Sequence, residues 1–147
     1  MLRNVLLVVH IAAVAAWLGG NFSQFFLLPQ MARTGGGTAT AWFEATARMA
    51  RRYYNAAGTL LAISGVLLLL HSDGGYHWSS GFVIVGIAVV VIGGLTGVAF
   101  FAPDADRLAA ASRAGAAVRI RRFLLVLCVD TTLVLTAVLA MVAKWRI

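Results

Sequence analysis

Four apolar stretches, near residues 5–28, 54–71, 81–102 and 123–143, are each long enough to cross the hydrocarbon layer of a bilayer. That layer is roughly 30 Å thick and a helix rises about 1.5 Å per residue, so about 20 apolar residues suffice. Backbone polar groups have no partner in lipid, so such stretches must be helical and must satisfy their hydrogen bonds internally. The expected fold is therefore all-α: an integral membrane four-helix bundle forming one transmembrane domain over residues 1–147, with little mass outside the bilayer.

Composition agrees with this class. The chain is 61% hydrophobic and 12% charged, far from the balance of soluble domains. Its single cysteine, Cys128, excludes an internal disulfide and a four-cysteine zinc site. Twelve Lys and Arg stand against five acids, but the basic residues sit in short segments between apolar runs. This is the pattern of charges facing a membrane surface, so the expected partner is the lipid bilayer and not nucleic acid. The first stretch, with Arg3 ahead of it and Ala13-Val14-Ala15 within it, imitates a secretory signal. Its apolar run continues through Leu28, and a retained span is expected.

Charge also orients the bundle. Residues 29–53 carry Arg33, Arg48, Arg51 and Arg52, and residues 103–122 carry Arg107, Arg113, Arg119, Arg121 and Arg122. The other side holds Arg3, Lys144 and Arg146. The positive-inside rule makes the two arginine-bearing segments cytoplasmic loops, with both termini and residues 72–80 extracytoplasmic. The expected location is a plasma membrane of the prokaryotic type. Trp42, Met49 and Tyr53 recur at near-helical spacing beside the arginines, which predicts an amphipathic surface helix running into the second span. Gly35-Gly36-Gly37 is its flexible lead-in.

A faint repeat emerges when the spans are aligned. Phe25-Phe26-Leu27-Leu28-Pro29 followed by Arg51-Arg52-Tyr53 parallels Phe100-Phe101-Ala102-Pro103 followed by Arg121-Arg122-Phe123. Two related hairpins would produce it, and so would the ordinary aromatic ends and arginine anchors of any membrane hairpin.

Polar residues inside the spans mark the faces that look inward. His10, Trp17, Asn21 and Gln24 form a heptad-like stripe on the first span. Gly58, Ala62 and Gly65 on the second span, and Gly86, Gly93 and Gly97 on the third, are read as close-packing positions without chemistry. An inner-leaflet polar cluster is expected from Asn21, Gln24, Asn55, Thr59, Thr96, Asp130 and Thr131. Asp130 is the only acid within a span, and an intramembrane carboxyl is either a functional group or a neutral hydrogen-bonding link between helices.

The outer layer holds all three histidines: His10 inside the first span, His71 at the end of the second, and His77 in the following loop beside Trp78. Helical side chains lean toward their own N-terminus, so His10 and His71 on antiparallel spans lean toward a common depth. Two imidazoles suit a haem b iron, whereas three ring nitrogens with a methionine suit copper. His10, His71 and His77 are thus the candidate metal ligands, and with Trp17 on the same stripe as His10 they are the candidate cofactor-binding residues. The bland alternative is that a membrane histidine merely hydrogen-bonds a neighbouring helix and one in a loop is merely solvated.

The run His10-Ile11-Ala12-Ala13-Val14-Ala15-Ala16-Trp17-Leu18-Gly19-Gly20, then Phe25-Phe26-Leu27-Leu28-Pro29 and Arg51-Arg52-Tyr53, resembles the first half of the copper-resistance protein D (CopD-like) family. At nearly the same total length the frame also resembles the HemJ-type protoporphyrinogen oxidases. That resemblance implies haem b ligation by His10, and places Arg121-Arg122-Phe123 with Asp130-Thr131-Thr132 on the start and acidic segment of the fourth helix. The HemJ-type pattern has an arginine and then a histidine after its proline, where this chain reads Gln30-Met31-Ala32-Arg33-Thr34, and a third-helix lysine, where span three is uncharged. The copper-type reading implies a methionine-rich outer loop, whereas Met31 and Met49 lie on the inner side. Three functional classes follow: a haem b-binding redox or electron-transfer protein, a copper-handling or copper transport protein, and a non-enzymatic subunit of a larger membrane complex or homo-oligomer.

Overall fold

The computed structural model describes residues 1–72 and 75–143. Lys144 and Arg146, which the charge count places on the terminal side, lie outside the described residues. Helix α1 spans Leu2–Thr34, α2 Gly36–Leu70, α3 Gly81–Thr96, α4 Ala102–Arg113 and α5 Arg121–Ala143, and a π-helical turn at Gly97–Phe101 joins α3 to α4 without a break. Taken with its continuation into α4, α3 forms the third of four helices, among the described residues, long and apolar enough to cross a membrane. The chain is an all-α, small integral membrane protein. Each span shows large exposed apolar side chains, among them Val8, Phe26, Ile63, Ile84, Leu95, Leu125 and Leu139, the surface that lipid covers.

Two helices run well past the expected spans. The 33 residues of α1 make about 50 Å, and α2 is longer still. Pro29 lies inside α1, where it cannot donate to the carbonyl of Phe25, yet the helix continues to Thr34. Leu28 is fully buried against the α2 side chains Ala39 and Phe43, and this packing holds the helix through the proline. Gly35 and Gly36, with φ of 66° and 64°, turn the chain directly into α2. The segment expected as a loop with a surface helix is thus the closed end of a long helical hairpin.

Residues 102–113 are likewise helical. Ala102, Ala105, Leu108, Ala109 and Ser112 recur at helical spacing and are all buried, which packs α4 against α2. The π-helical turn just before Pro103 accommodates the missing N–H and the ring of that proline.

The largest buried cluster sits at this arginine-rich end. It joins Leu28 of α1, Phe43 of α2, Phe101 of the π-helical turn, Leu108 of α4, and Phe123 and Leu127 of α5. The terminal half has a smaller cluster of Ala13, Trp17, Leu61, Val89, Val134 and Ala137. There α1 packs mainly on α2 and α3 mainly on α5, and the two pairs part to leave a cleft.

Candidate functional site

The expected stripe on α1 does face the interior: Trp17, Asn21 and Gln24 are buried and His10 is half-buried. Antiparallel pairing with α2 sets its partners. His10 meets Ser64, Trp17 meets Gly58, Asn21 meets Tyr54, and Gln24 meets Thr46 and Met49. The glycines face the largest rings. A Cβ at Gly58 would lie 3.1 Å from the Trp17 ring, one at Gly93 2.6 Å from the same ring, and one at Gly65 3.1 Å from the His10 ring. These glycines are therefore part of the site, because they let α2 and α3 close over aromatic side chains.

At mid-depth the polar groups form one network. Trp17 Nε1 donates to Asp130 Oδ2 at 3.0 Å, and Asn21 Nδ2 donates to the same oxygen at 2.8 Å and to Thr131 Oγ1 at 3.0 Å. Tyr54 O–H donates to Asn21 Oδ1 at 2.9 Å, and its ring stands edge-on to Trp17 with centroids 6.1 Å apart. Thr131 returns its proton to the Leu127 carbonyl. Asp130 is 4% exposed and takes both donors on one oxygen, the arrangement that hydrogen-bonding of a buried carboxyl demands.

Other residues of the expected polar cluster lie elsewhere. Gln24 is buried one turn beyond Asn21 and accepts from Thr46. Asn55 and Thr96 bond carbonyls of their own helices, Arg51 and Ile92, while Thr59 is exposed. Tyr54 and Ser64 are members that sequence reasoning missed. A tyrosine at a span border reads as an interface anchor, and a helical serine reads as bonded to its own backbone. No spacing in the sequence marks them, because each is set by its pairing across the α1–α2 register, Tyr54 with Asn21 and Ser64 with His10.

Above the network, toward the termini, lies a cleft of about 780 Å³ between α1, α2, α3 and α5. His10 and Trp17 line it along α1, and valines and leucines of the four helices form its walls. Arg3 and Asn4 from the first turn of α1, with Tyr76 and Trp78 from the α2–α3 connection, line it too. Among the described residues, Arg3 is the sole formal charge of this lining, and Met141 of α5 is its sole thioether. The volume lies within the range of about 300–1,000 Å³ typical of small-molecule and cofactor sites.

The histidines do not share this site. His71 and His77 are exposed and neither lines the cleft, and His71 Nδ1 lies 2.9 Å from the Leu67 carbonyl of its own helix. Among the described residues no group of three or more His, Cys, Asp or Glu side chains is placed to hold a metal ion. Chemically, the site offers one imidazole on an apolar cleft, a cation in its lining, and a hydrogen-bonded carboxyl beneath its tryptophan. Comparison of the chain with family models, with curated proteins and with solved structures gives no match.

Proposed function

We propose that this small integral membrane protein binds haem b in the cleft through His10 and serves in electron transfer. The observation that carries the reading is that His10 lines a large, almost wholly apolar cleft between helices. A haem site needs a neutral imidazole, an apolar slot for the macrocycle and a counter-charge for the propionates. His10, the valine and leucine walls, and Arg3 fit these needs in turn. Bound there, the group would supply one-electron chemistry, with a potential tuned by its axial ligands and by burial. The protein's part is to present His10, exclude water with the apolar walls, and support Trp17 from below through Asp130. Met141, the thioether of the same lining, would be a second residue able to hold the group.

The test is a visible and pyridine haemochrome spectrum of protein purified from haem-replete membranes. We expect a b-type spectrum that is largely lost in His10→Ala while the helical content is retained. His71→Ala and His77→Ala should leave it nearly unchanged, since both side chains are exposed. Met141→Ala should shift the spin state if Met141 is the second ligand. A well-folded wild-type protein reconstituted with haem that shows no such spectrum would overturn the reading.

Copper handling is the second reading, favoured by the presence of both His10 and Met141 in one cleft, a nitrogen and a soft sulfur donor suited to Cu(I). Metal analysis of haem-free protein separates it from the first: copper that is lost in both His10→Ala and Met141→Ala would support it. If neither haem nor copper is bound, the protein is best read as a packing subunit of a larger membrane assembly.

A further inference from the structure

We propose that Ser64 is a positioning residue that holds the His10 ring with its proton on Nδ1, making Nε2 the atom offered to a ligand. This deepens the haem reading, on which its functional consequence rests. The geometry itself stands on the protein alone.

Ser64 is 2% exposed, and its hydroxyl lies 3.0 Å from His10 Nδ1. A hydroxyl has one proton to give. Here the same Oγ lies 2.6 Å from the Leu60 carbonyl and 3.2 Å from the Leu61 carbonyl, and carbonyls only accept. The serine proton is therefore committed to the backbone of α2, and Ser64 can meet the imidazole only with a lone pair. His10 Nδ1 must then donate. In a neutral ring this leaves the lone pair on Nε2.

The ring's position is set by the next residue. A Cβ at Gly65 would stand 3.1 Å from His10 Cε1 and 3.6 Å from Nδ1, so the Nδ1–Cε1 edge lies close against α2. A larger residue would push that edge away and lengthen the bond to Ser64. The arrangement is the one that metal-binding histidines use, in which a hydrogen bond from one ring nitrogen fixes the tautomer and raises the basicity of the other. Nothing in the sequence alone pairs these two residues, which are 54 positions apart.

The experiment is nitrogen NMR of histidine-labelled, cofactor-free protein in lipid nanodiscs, with the His10 signals assigned from their loss in His10→Gln. The expected result is one dominant tautomer, protonated at Nδ1. Ser64→Ala should turn it into a mixture or invert it, and Ser64→Thr, which keeps the hydroxyl, should restore it. A wild-type His10 protonated at Nε2, or a tautomer indifferent to Ser64→Ala, would overturn the proposal. When haem is added, Ser64→Ala should raise the midpoint potential and Ser64→Thr return it, because the lost hydrogen bond weakens the imidazole as a donor. The two readings fail separately: Nδ1 protonation without haem binding removes the cofactor and keeps the positioning role, while haem binding with protonation at Nε2 does the reverse.

Discussion

Asp130 holds α5 to α1 through two neutral donors, Trp17 Nε1 and Asn21 Nδ2, that converge on one carboxyl oxygen. Asp130→Leu removes that acceptor and strands Trp17 Nε1, at about 1–3 kcal/mol for a buried group left unpaired, while Asn21 keeps only its bond to Thr131. Asp130→Asn keeps one carbonyl oxygen able to accept from both, and its amide takes the place of the other carboxyl oxygen. Unfolding in mild detergent should therefore show a large loss of stability for the leucine variant and a small one for the asparagine variant. Equal losses would mean that the carboxylate's charge, and not its acceptor geometry, is what matters. Gly93→Ala probes the same site from α3, since the added methyl would lie 2.6 Å from the Trp17 ring and 3.2 Å from Asp130 Oδ1. The stripe of His10, Trp17, Asn21 and Gln24 and the isolated acid were legible from the sequence, because lipid leaves polar side chains one direction to face. Tyr54, Ser64 and the role of the glycines were not, because each depends on the register of α1 against α2 or α3.

At the scale of elements, α4 shows why an arginine-rich helical segment looks like a loop in the sequence. Its buried face is Ala102, Asp104, Ala105, Leu108, Ala109 and Ser112, mostly residues too small to give a strong apolar periodicity in a helix with four charged residues. Tertiary packing on α2 supplies what the pattern lacks. Two ion pairs also cross from α2 to α4. Arg51 binds Asp106 with contacts of 2.8 and 3.1 Å, and Arg113 binds Glu44. The Arg51–Asp106 pair is half exposed, so solvent screening leaves it a minor contribution. Leu108, 4% exposed in the main cluster, is worth more: Leu→Ala in a core costs about 2–5 kcal/mol. Leu108→Ala should raise amide hydrogen exchange along α4 strongly, while Asp106→Asn should change it little. The opposite ranking would show that charge, not apolar packing, docks α4. The same logic explains α1, where a proline that marks a helix end in the sequence is carried through because Leu28 is locked against α2.

The whole molecule is asymmetric along its long axis. The arginine-rich end is closed by α4 and by the largest buried cluster, while the end bearing the termini opens into the cleft that holds His10. Apolar length announced four spans from the sequence, but the cleft arises from how the helix pairs part, which no single segment encodes. Orientation follows from charge. Among the described arginines at the closed end, Arg33, Arg48, Arg52, Arg119 and Arg121 are exposed and have no acidic partner, whereas Glu44, Asp104 and Asp106 are each taken by an arginine. Uncompensated arginine is what the positive-inside rule counts, so the closed end should face the cytoplasm and the cleft the outside. Cysteine labelling in oriented membranes tests this once the exposed Cys128 is replaced by serine. Gly37→Cys, at an open position of ordinary helical backbone, and Ala116→Cys, in the exposed α4–α5 connection, should react only with reagent on the cytoplasmic side. Ser79→Cys, exposed between α2 and α3, should react only from outside. The reverse pattern would place the mouth of the cleft and Arg3 in the cytoplasm. Under the proposed haem reading, an electron donor or acceptor would then have to be sought on that side of the membrane.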